Sequence, residues 1–488
     1  MLFNSYGFIF IFLPITFFIY FYLNHKRLTE ASKGFLVCSS LFFYSWWNIA
    51  YLPIILLSMV FNYTIGRSLN KVCKNKSKGF PKKTILTFGI IFNLSLLGYF
   101  KYTDFLIENF NLAFNSNAEL LHLALPLAIS FFTFQQIAYL VDSYRQETKE
   151  YDFLNYALFV TFFPQLIAGP IVHHKEMMPQ FAKTRNKVKN YRNIAMGLFI
   201  FSIGLFKKVV IADTFAVWAA NGFDVATTLS FFAAWATSLS YTFQLYFDFS
   251  GYTDMAIGLA LLFNIRLPVN FNSPYKATNI QDFWRRWHIT LSRFLRDYVY
   301  IPLGGNKKGG FRTYNNLMAT FVIGGLWHGA GWTFVFWGFL HGLALIIQRL
   351  WERLGFKCWT WLAWLITFNF VNIAWVFFRA KEWEDAIKVV GSMFGFGGVV
   401  ISHKMEDSLF FLSKYGIEFG NWMAEIGGGN KMRNYLIIVF FLILFCKNSI
   451  QRLNNFQLNY KYLFSTIILF CFSALSLKKT TEFLYFNF

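Results

Sequence analysis

Cysteine is scarce in this sequence. Five cysteines occur in 488 residues, without a Cys-X-X-Cys pair, and most of them lie in apolar runs: Cys38, Cys73, Cys358, Cys446 and Cys471. Disulfide frameworks and zinc sites both need paired cysteines at short or regular spacings. We therefore interpret the five cysteines as packing residues, and the sequence predicts no metal site.

Common nucleotide-binding motifs and repeats are absent as well. The chain has no phosphate-binding loop, no Gly-X-Gly-X-X-Gly motif after a strand and no clear internal repeat. These absences disfavour a P-loop enzyme, a dinucleotide-binding enzyme and a repeat scaffold. The function must therefore be sought in other residue patterns.

Charged residues are few, and apolar residues dominate. Asp, Glu, Lys and Arg make up 14% of the chain, against 56% hydrophobic and 22% aromatic residues. Such a balance is untypical of soluble domains, and a membrane-spanning helix needs about 20 apolar residues. Apolar stretches, some of them shorter, occur near 4–23, 35–48, 51–66, 84–100, 121–141, 153–170, 194–217, 229–247, 317–347, 360–378, 433–446 and 462–477. We predict an all-α polytopic membrane protein with about eleven transmembrane helices plus embedded helices.

Acidic residues are the scarcer charged type, 24 against 45 Lys and Arg, which leaves a formal net charge of +21. The basic residues cluster in loops 67–83 and 173–192, so this charge does not predict nucleic-acid binding. The positive-inside rule places both loops in the cytoplasm and the more acidic loop 101–120 outside. Counting crossings then predicts that both termini are extracytoplasmic, although Lys478 and Lys479 argue mildly against this placement of the C-terminus.

One segment in the middle of the chain is less hydrophobic than its surroundings. It reads "NIQDFWRRWHITLSRFLRDYVYIPLGGNKKG", residues 279–309. As a helix, it places His288 on a face with three apolar residues, Trp284, Leu291 and Leu295. Four arginines nearby could bind phosphate groups of a ligand: Arg285, Arg286, Arg293 and Arg296. The alternative is that these arginines anchor a helix at the cytoplasmic interface.

A second segment, "FVIGGLWHGAGWTFVFWGFLHG" at 321–342, holds His328 and His341 in an otherwise apolar run. An ionisable group at membrane depth is costly and indicates a functional site. Four glycines around His328 allow another backbone or a ligand to approach closely: Gly324, Gly325, Gly329 and Gly331. A histidine buried only for packing is the alternative for His328. For His341 we favour a hydrogen bond to a neighbouring helix.

Two non-enzymatic interpretations also fit a membrane protein with buried histidines and arginines. A transporter or channel for an anion uses such residues, but many transporters also contain internal repeats and paired broken helices. Neither feature is convincing in this sequence. A pure membrane scaffold would not need a histidine in a glycine-rich setting, so an enzyme is favoured.

Several motifs together resemble the membrane-bound O-acyltransferase family. They are "RRWHITLSRFLRDYVYIPLGG", "GLWHGAGWTFVFWGFLHG", the N-terminal "FIFIFLPITFFIYF" and the central "YFDFSGYTDMAIGLA". The resemblance covers essentially the whole chain, 1–488, as one membrane domain, and points to the bacterial alginate and peptidoglycan O-acetyltransferase branch. It implies a ring of helices around a central tunnel, with the catalytic core at 270–342.

The resemblance also implies roles for the two histidines. His328 matches the family's catalytic histidine and His288 its second histidine, with acetyl-CoA entering from the cytoplasm as donor and no permanently bound cofactor. Histidine is suited to remove a hydroxyl proton near neutral pH, which is the role expected of His328. His288 would orient the donor or stabilise the developing oxyanion. Asp248, Ser250 and Asp254 either line the tunnel or form buried pairs with basic residues.

The C-terminal residues "TTEFLYFNF" end a tail, 478–488, that we expect on the extracytoplasmic side of the membrane. An interfacial aromatic belt explains them without chemistry. They also resemble a C-terminal motif of this branch, in which a tyrosine carries the acyl group; here that residue is Tyr485. The resemblance implies that an extracytoplasmic transferase of the SGNH type takes over the acetyl group. The segment 391–432 is expected to be a polar excursion.

The predicted function is therefore acetyl transfer across the bacterial inner membrane to a cell-envelope glycan. Peptidoglycan is the favoured acceptor, because a chain rich in Phe, Lys, Asn and Ile suggests an AT-rich genome rather than that of a typical alginate producer. Alginate or another exopolysaccharide remains the alternative acceptor. Teichoic acid alanylation is disfavoured, since that family member receives its acyl group from a carrier protein.

Overall fold

The fold is almost entirely helical, as expected. The computed structural model describes residues 1–74, 81–148, 152–307, 309–477 and 483–484. The first helices are α1 Leu13–His25, α2 Thr29–Ser45, α3 Leu52–Lys74, α4 Lys82–Phe114, α5 Ile129–Tyr144, α6 Phe153–Thr161, α7 Phe163–Leu166, α8 His174–Ala182, α9 Tyr191–Phe206 and α10 Asp213–Ala220. Then follow α11 Phe231–Leu262, α12 Ile280–Arg286, α13 Ile289–Leu295, α14 Gly310–His328, α15 Trp332–Arg353, α16 Thr360–Arg379, α17 Trp383–Met393, α18 Glu406–Leu409, α19 Asn430–Phe445, α20 Ser449–Asn454 and α21 Tyr460–Leu475.

Short π-helical and 3-10 turns join several of these helices, and two strands lie between α17 and α19. The π-helical turns are Phe8–Phe12, Lys207–Ala212, Asn221–Val225 and Arg296–Tyr300. Strands β1 Val399–Ser402 and β2 Ile417–Gly420 pair in parallel, with Val399 opposite Ile417. Both strands belong to the expected polar excursion 391–432.

Six helical segments among the described residues are long and apolar enough to cross a membrane. They are Phe8–His25, Ile49–Lys71, Lys82–Phe114, Tyr191–Val225, Trp332–Arg353 and Thr360–Arg379. The remaining helices are too short or too polar to meet both conditions. Tyr460–Leu475, for example, is apolar but shorter. The polytopic all-α class is thus confirmed, while the total of about eleven spanning helices stays a prediction.

The chain divides into two compact units. One consists of Met1–Leu205, Tyr252–Val269 and Leu453–Phe488, and the other of Phe206–Gly251 and Asn270–Arg452. The first unit has a core of stacked phenylalanines, in which Phe3 packs 5.4 Å from Phe43 between ring centroids. The second unit contains both predicted catalytic histidines, His288 and His328.

Three predicted elements differ from the structure. The segment 279–309 is not one helix, because α12 ends at Arg286 and His288 adopts left-handed backbone angles, φ 42° and ψ 54°. The apolar run 317–347 is interrupted after His328 at the extended residues of a Gly-Ala-Gly turn. Part of the predicted outer loop 101–120 is helical, because α4 continues to Phe114.

Helices α14 and α15 form a closely packed hairpin, and glycine makes the close approach of their backbones feasible. A Cβ atom on Gly338 would lie 2.4 Å from the carbonyl oxygen of Phe321, and one on Gly325 would lie 2.3 Å from that of Phe334. Real Cβ atoms do not approach a backbone oxygen so closely, and backbone cannot move aside as a flexible side chain can. The hairpin therefore depends on small residues at these positions, as membrane helix pairs commonly do.

We predict that Gly338→Ala destabilises the protein by about 1–3 kcal/mol, because the added methyl group overpacks the hairpin. The melting temperature of the detergent-solubilised protein should fall accordingly. Gly98→Ala in α4 is the matched control, since a Cβ there meets no atom within 4 Å and alanine is the better helix former. Equal melting temperatures for Gly338→Ala and the wild type would contradict this account of the hairpin.

Candidate active site

His328 is the last residue of α14 and is buried in an aromatic cage. It is 3% exposed. Its ring centroid lies 4.7 Å from Trp327, 5.2 Å from Trp337 of α15 and 5.0 Å from Phe378 of α16. The cage holds the imidazole in an apolar setting, where electrostatic interactions and hydrogen bonds are stronger than in water.

The glycines next to His328 allow α15 to pack closely against the end of α14. A Cβ on Gly329 would lie 2.1 Å from the ring of Phe334, and Gly325 meets the backbone of the same residue. For Gly325, the predicted close approach of another backbone is observed. These glycines bring α15 against the end of α14 and so fix where His328 lies.

His288 occupies the turn between α12 and α13 and is fully buried. Its Nδ1 lies 3.1 Å from Oδ1 of Asn270, and its ring packs edge-on against Phe249 at 4.7 Å. Burial lowers the pKa of His288 to about 3, because desolvation disfavours the charged imidazolium. Its left-handed backbone is uncommon for a residue other than glycine or asparagine, and such local strain clusters at functional sites.

The indole of Trp327 connects the two predicted catalytic histidines. Its centroid lies 4.7 Å from that of His328 and 6.3 Å from that of His288. Both histidines belong to the same compact unit. The structure therefore brings together two residues that are forty positions apart in the sequence, as the family resemblance implies. Their catalytic roles stay predictions.

His341 has the structural role that its sequence context suggested. Nε1 of Trp284 in α12 donates a hydrogen bond of 3.2 Å to Nδ1 of His341 in α15. The histidine is fully buried among aromatic rings, including Trp337 at 4.8 Å. The predicted hydrogen bond to a neighbouring helix is confirmed.

The four arginines predicted to bind phosphate have different surroundings. Arg286 pairs with Asp282 at 2.9 Å, and Arg296 binds Asp297 through two nitrogens, at 2.7 and 3.1 Å. Arg285 is exposed and Arg293 is half-buried. Arg286 and Arg296 are thus paired with aspartates of the same segment, so a phosphate would have to compete with these carboxylates.

A buried ion cluster contains Asp248, whose pairing with a basic residue was one predicted alternative, together with Lys208 and Asp213, which were not predicted. Nζ of Lys208 lies 2.7 Å from Asp248 and 2.9 Å from Asp213, and the lysine is 2% exposed. For Asp248, the pairing alternative of the sequence analysis is therefore the observed one. The signal was the Lys-Lys pair inside the apolar run "FIFSIGLFKKVVIADTF", 199–215, and both lysines lie in the π-helical turn Lys207–Ala212.

Asn270 is a further buried residue that the sequence analysis missed. Its Oδ1 accepts hydrogen bonds at the start of α13 from the backbone N–H and the hydroxyl of Thr290, at 3.2 and 3.0 Å. The surrounding sequence, "LPVNFNSPY", contains no motif that marks this asparagine. Only the folded chain shows that it contacts His288.

The C-terminal tail is described only at Phe483 and Leu484, so Tyr485 lies outside the described residues. Phe483 is 1% exposed and packs edge-on against Tyr252, with 4.5 Å between ring centroids. Tyr252 in turn stacks on Phe3 at 4.9 Å. Within its compact unit, the residue two positions before Tyr485 is therefore anchored in an aromatic core.

A cavity of about 1310 Å³ opens in the second unit between residues of 276–278, 357–364 and 444–445, and none of the predicted site residues that the structure describes lines it. Among the described residues, no group of three or more His, Cys, Asp or Glu side chains is placed to hold a metal ion.

Comparison with known proteins identifies the family. The model of the membrane-bound O-acyltransferase family matches residues 141–381. The peptidoglycan O-acetyltransferase of Helicobacter pylori is 51% identical over 521 aligned residues, which cover 100% of this chain and 98% of the relative. The chain belongs to the membrane-bound O-acyltransferase family.

Other members of this acyltransferase family are also similar. The probable alginate O-acetylase AlgI of Pseudomonas aeruginosa is 41% identical and covers 90% of this chain and 81% of the relative. The teichoic acid D-alanyltransferase of Bacillus subtilis is 29% identical, over 53% of this chain and 69% of the relative. This protein is a multi-pass membrane acyltransferase, which rules out the transporter interpretation.

We predict that Asp248→Asn costs about 3 kcal/mol of unfolding free energy, because removing one partner of a buried ion pair leaves a poorly compensated charge. The loss should appear as a lower melting temperature in detergent. Glu30→Gln is the control, since Glu30 pairs with Lys33 at 2.9 Å but its side chain is 62% exposed. That change should cost less than about 1 kcal/mol. Similar losses for the two variants would refute the importance of burial.

Proposed function

We propose that this acyltransferase takes acetyl groups from acetyl-CoA on the cytoplasmic side of the bacterial inner membrane and passes them outward for O-acetylation of peptidoglycan. The full-length similarity to the Helicobacter pylori peptidoglycan O-acetyltransferase carries the choice of acceptor. The second candidate acceptor is alginate or a related exopolysaccharide, supported by 41% identity to an alginate O-acetylase. The higher identity and the more complete coverage favour peptidoglycan.

His328 is the proposed base of the transfer. An attacking hydroxyl gives its proton to the imidazole while its oxygen bonds to the carbonyl carbon of the thioester. The C–S bond then breaks, and the departing CoA thiolate takes the proton back from the imidazolium. The aromatic cage of Trp327, Trp337 and Phe378 supports this role, because it holds the ring in one orientation and keeps bulk water from competing as nucleophile.

Tyr485 is the proposed carrier of the acetyl group. Its phenol oxygen attacks the thioester, and the resulting aryl ester stays reactive enough for a second transfer, which is covalent catalysis in two steps. The burial of Phe483 against Tyr252 supports this proposal, since an anchored tail restricts where the tyrosine can reach. An extracytoplasmic transferase of the SGNH type then accepts the acetyl group and esterifies a glycan hydroxyl.

Four arginines are proposed for the phosphates of CoA: Arg285, Arg286, Arg293 and Arg296. Arg286 and Arg296 also hold Asp282 and Asp297, so a phosphate would compete with these carboxylates. Guanidinium groups bind phosphate in bidentate fashion, which makes them the preferred ligands for such a substrate. Entry of the donor from the cytoplasm is supported by the basic loops 67–83 and 173–192, which the positive-inside rule places on that side.

We expect His328→Ala to lower CoA release from acetyl-CoA by about 10²–10⁴-fold, the usual contribution of a general base. Purified protein is incubated with radiolabelled acetyl-CoA, and free CoA is measured over time. His403→Ala is the matched control, because His403 is a solvent-exposed histidine of the same unit. Unchanged CoA release by His328→Ala would remove the catalytic assignment.

The proposed acetyl relay through Tyr485 is tested by measuring radiolabelled acetyl groups bound covalently to the protein. Wild-type protein should retain acetyl label after denaturation, and Tyr485→Phe should retain none, because phenylalanine lacks the hydroxyl that forms the ester. Tyr460→Phe, at an exposed tyrosine of the same unit, should retain label like the wild type. Label on the Tyr485→Phe protein would exclude the relay and leave the acyltransferase activity in place.

A further inference from the structure

Asn270 holds the second histidine through a set of bonds that determines which nitrogen carries the proton. Its side-chain Oδ1 lies 3.1 Å from Nδ1 of His288, 3.2 Å from the backbone nitrogen of Thr290 and 3.0 Å from the hydroxyl of Thr290. The backbone of Asn270 also accepts a bond of 3.0 Å from the N–H of Ile289. Asn270 is 1% exposed, so these groups meet out of contact with water.

The bond from Thr290 fixes the orientation of the asparagine amide. Oxygen and nitrogen of such an amide are otherwise hard to tell apart and must be assigned from their hydrogen-bond partners. A backbone N–H can only donate, so the amide atom that faces Thr290 must be the oxygen. The same oxygen faces His288, and because an amide oxygen can only accept, Nδ1 of His288 must be the donor.

The protonation of Nδ1 determines what the other ring nitrogen can do. In a neutral imidazole one nitrogen carries hydrogen and the other a lone pair. Burial of His288 favours the neutral ring, as its lowered pKa of about 3 also indicates. Its Nε2 is therefore a hydrogen-bond acceptor and cannot donate a hydrogen bond to a developing oxyanion.

His341 provides the opposite case within the same unit. Nε1 of Trp284 is a donor only, and it lies 3.2 Å from Nδ1 of His341, so this Nδ1 must be unprotonated. The proton of His341 is on Nε2. His288 and His341 thus hold opposite tautomers, each imposed by one neighbouring side chain.

We propose that Asn270 is a positioning residue, which holds His288 with its proton on Nδ1 and thereby presents the lone pair of Nε2 to an O–H or N–H group of a substrate. This proposal rests on the proposed acyl transfer for its kinetic consequences. His288 then orients one of the two substrates rather than stabilising the oxyanion. The group that His288 orients is either an amide N–H in the CoA arm of the acyl donor or the hydroxyl that attacks the thioester.

The tautomer is measured directly by ¹⁵N NMR of histidine-labelled protein in lipid nanodiscs, with the His288 signals assigned by their loss in His288→Gln. The wild type should show a protonated Nδ1 and an unprotonated Nε2 for His288, and the reverse pattern for His341. In Asn270→Ala the acceptor is gone, so the His288 proton should move to Nε2 in part of the molecules. Asn270→Asp keeps an acceptor oxygen and should keep the wild-type tautomer.

The rate of CoA release shows whether the loss of Asn270 affects acyl transfer. Asn270→Ala should lower kcat/KM by about 10–100-fold, by analogy with the loss on removing a partner that orients a metal-bound histidine. Asn270→Asp should retain more activity, and the acid limb of its pH profile should move to higher pH, because a carboxylate favours the protonated imidazole. A raised KM for acetyl-CoA identifies the acyl donor as the oriented group, and a lowered kcat with unchanged KM identifies the hydroxyl.

Asn372 provides the control for a merely structural asparagine. It is fully buried in the same unit, and its Oδ1 accepts a hydrogen bond of 2.7 Å from the hydroxyl of Thr242. Asn372→Ala and Asn372→Asp should change the melting temperature but neither the His288 tautomer nor the pH profile.

Two results would overturn the role of Asn270: an Nε2–H tautomer of His288 in the wild type, or a tautomer that is the same in Asn270→Ala. Asn270 would have only a structural role, as the cap of α13, if Asn270→Ala and Asn270→Asp lost equal activity and the acid limb of the pH profile did not shift in Asn270→Asp. Absence of CoA release by the wild type would instead contradict the proposed acyl donor, while the NMR result would still decide the tautomer.

Discussion

A polar group buried in an apolar environment must find its partner within the chain, because hydrocarbon and packed aromatic rings offer none. In this protein that constraint accounts for the buried polar pairs of the second unit. Lys208 is placed by Asp248 and Asp213, His341 by Trp284 and His288 by Asn270. Each pair joins residues that are distant in the sequence, except for the bond of Lys208 to Asp213. The partners therefore fix how helices meet as well as how single side chains point.

Glycine and aromatic residues perform complementary tasks around the predicted catalytic residue His328. Because Gly325 and Gly338 have no side chain, the backbones of α14 and α15 occupy positions that a Cβ atom would block. Large rings then fill the volume beside this hairpin, so that His328 contacts three of them. Close backbone contact holds the end of α14 rigidly, and the rings restrict the imidazole. Such rigidity suits a base that must meet its substrate in a defined geometry.

The two histidines of the segment differ in what their surroundings allow. Hydrogen bonding at Nδ1 commits His288 to acceptor chemistry at Nε2. Its strained left-handed backbone is maintained by Asn270, which bonds both the ring and the first residues of α13. The break between α12 and α13 is therefore part of how His288 is presented. A continuous helix would have carried the ring away from the asparagine.

Much of the architecture follows from the sequence, because apolar length and charge distribution act locally. The apolar runs determine that the chain is polytopic and helical, and the family motifs around His288 and His328 determine the class of enzyme. The burial of both histidines and the hydrogen bond of His341 could be inferred from their glycine-rich and aromatic surroundings. These properties depend on neighbours in the sequence or on patterns that the family shares.

Other features were decided only by the tertiary structure. Asn270 lies in no motif, and its importance arises from a turn that places it beside a histidine eighteen positions later. Likewise, only the structure shows that Arg286 and Arg296 pair with nearby aspartates, with which a phosphate ligand would have to compete. The sequence alone determined which apolar runs leave water and which polar groups within them, such as His328, must be buried, since transfer free energy is a property of each side chain. Which partner satisfies each group was settled by folding, because a hydrogen bond depends on distances of a few tenths of an ångström between residues far apart in the chain.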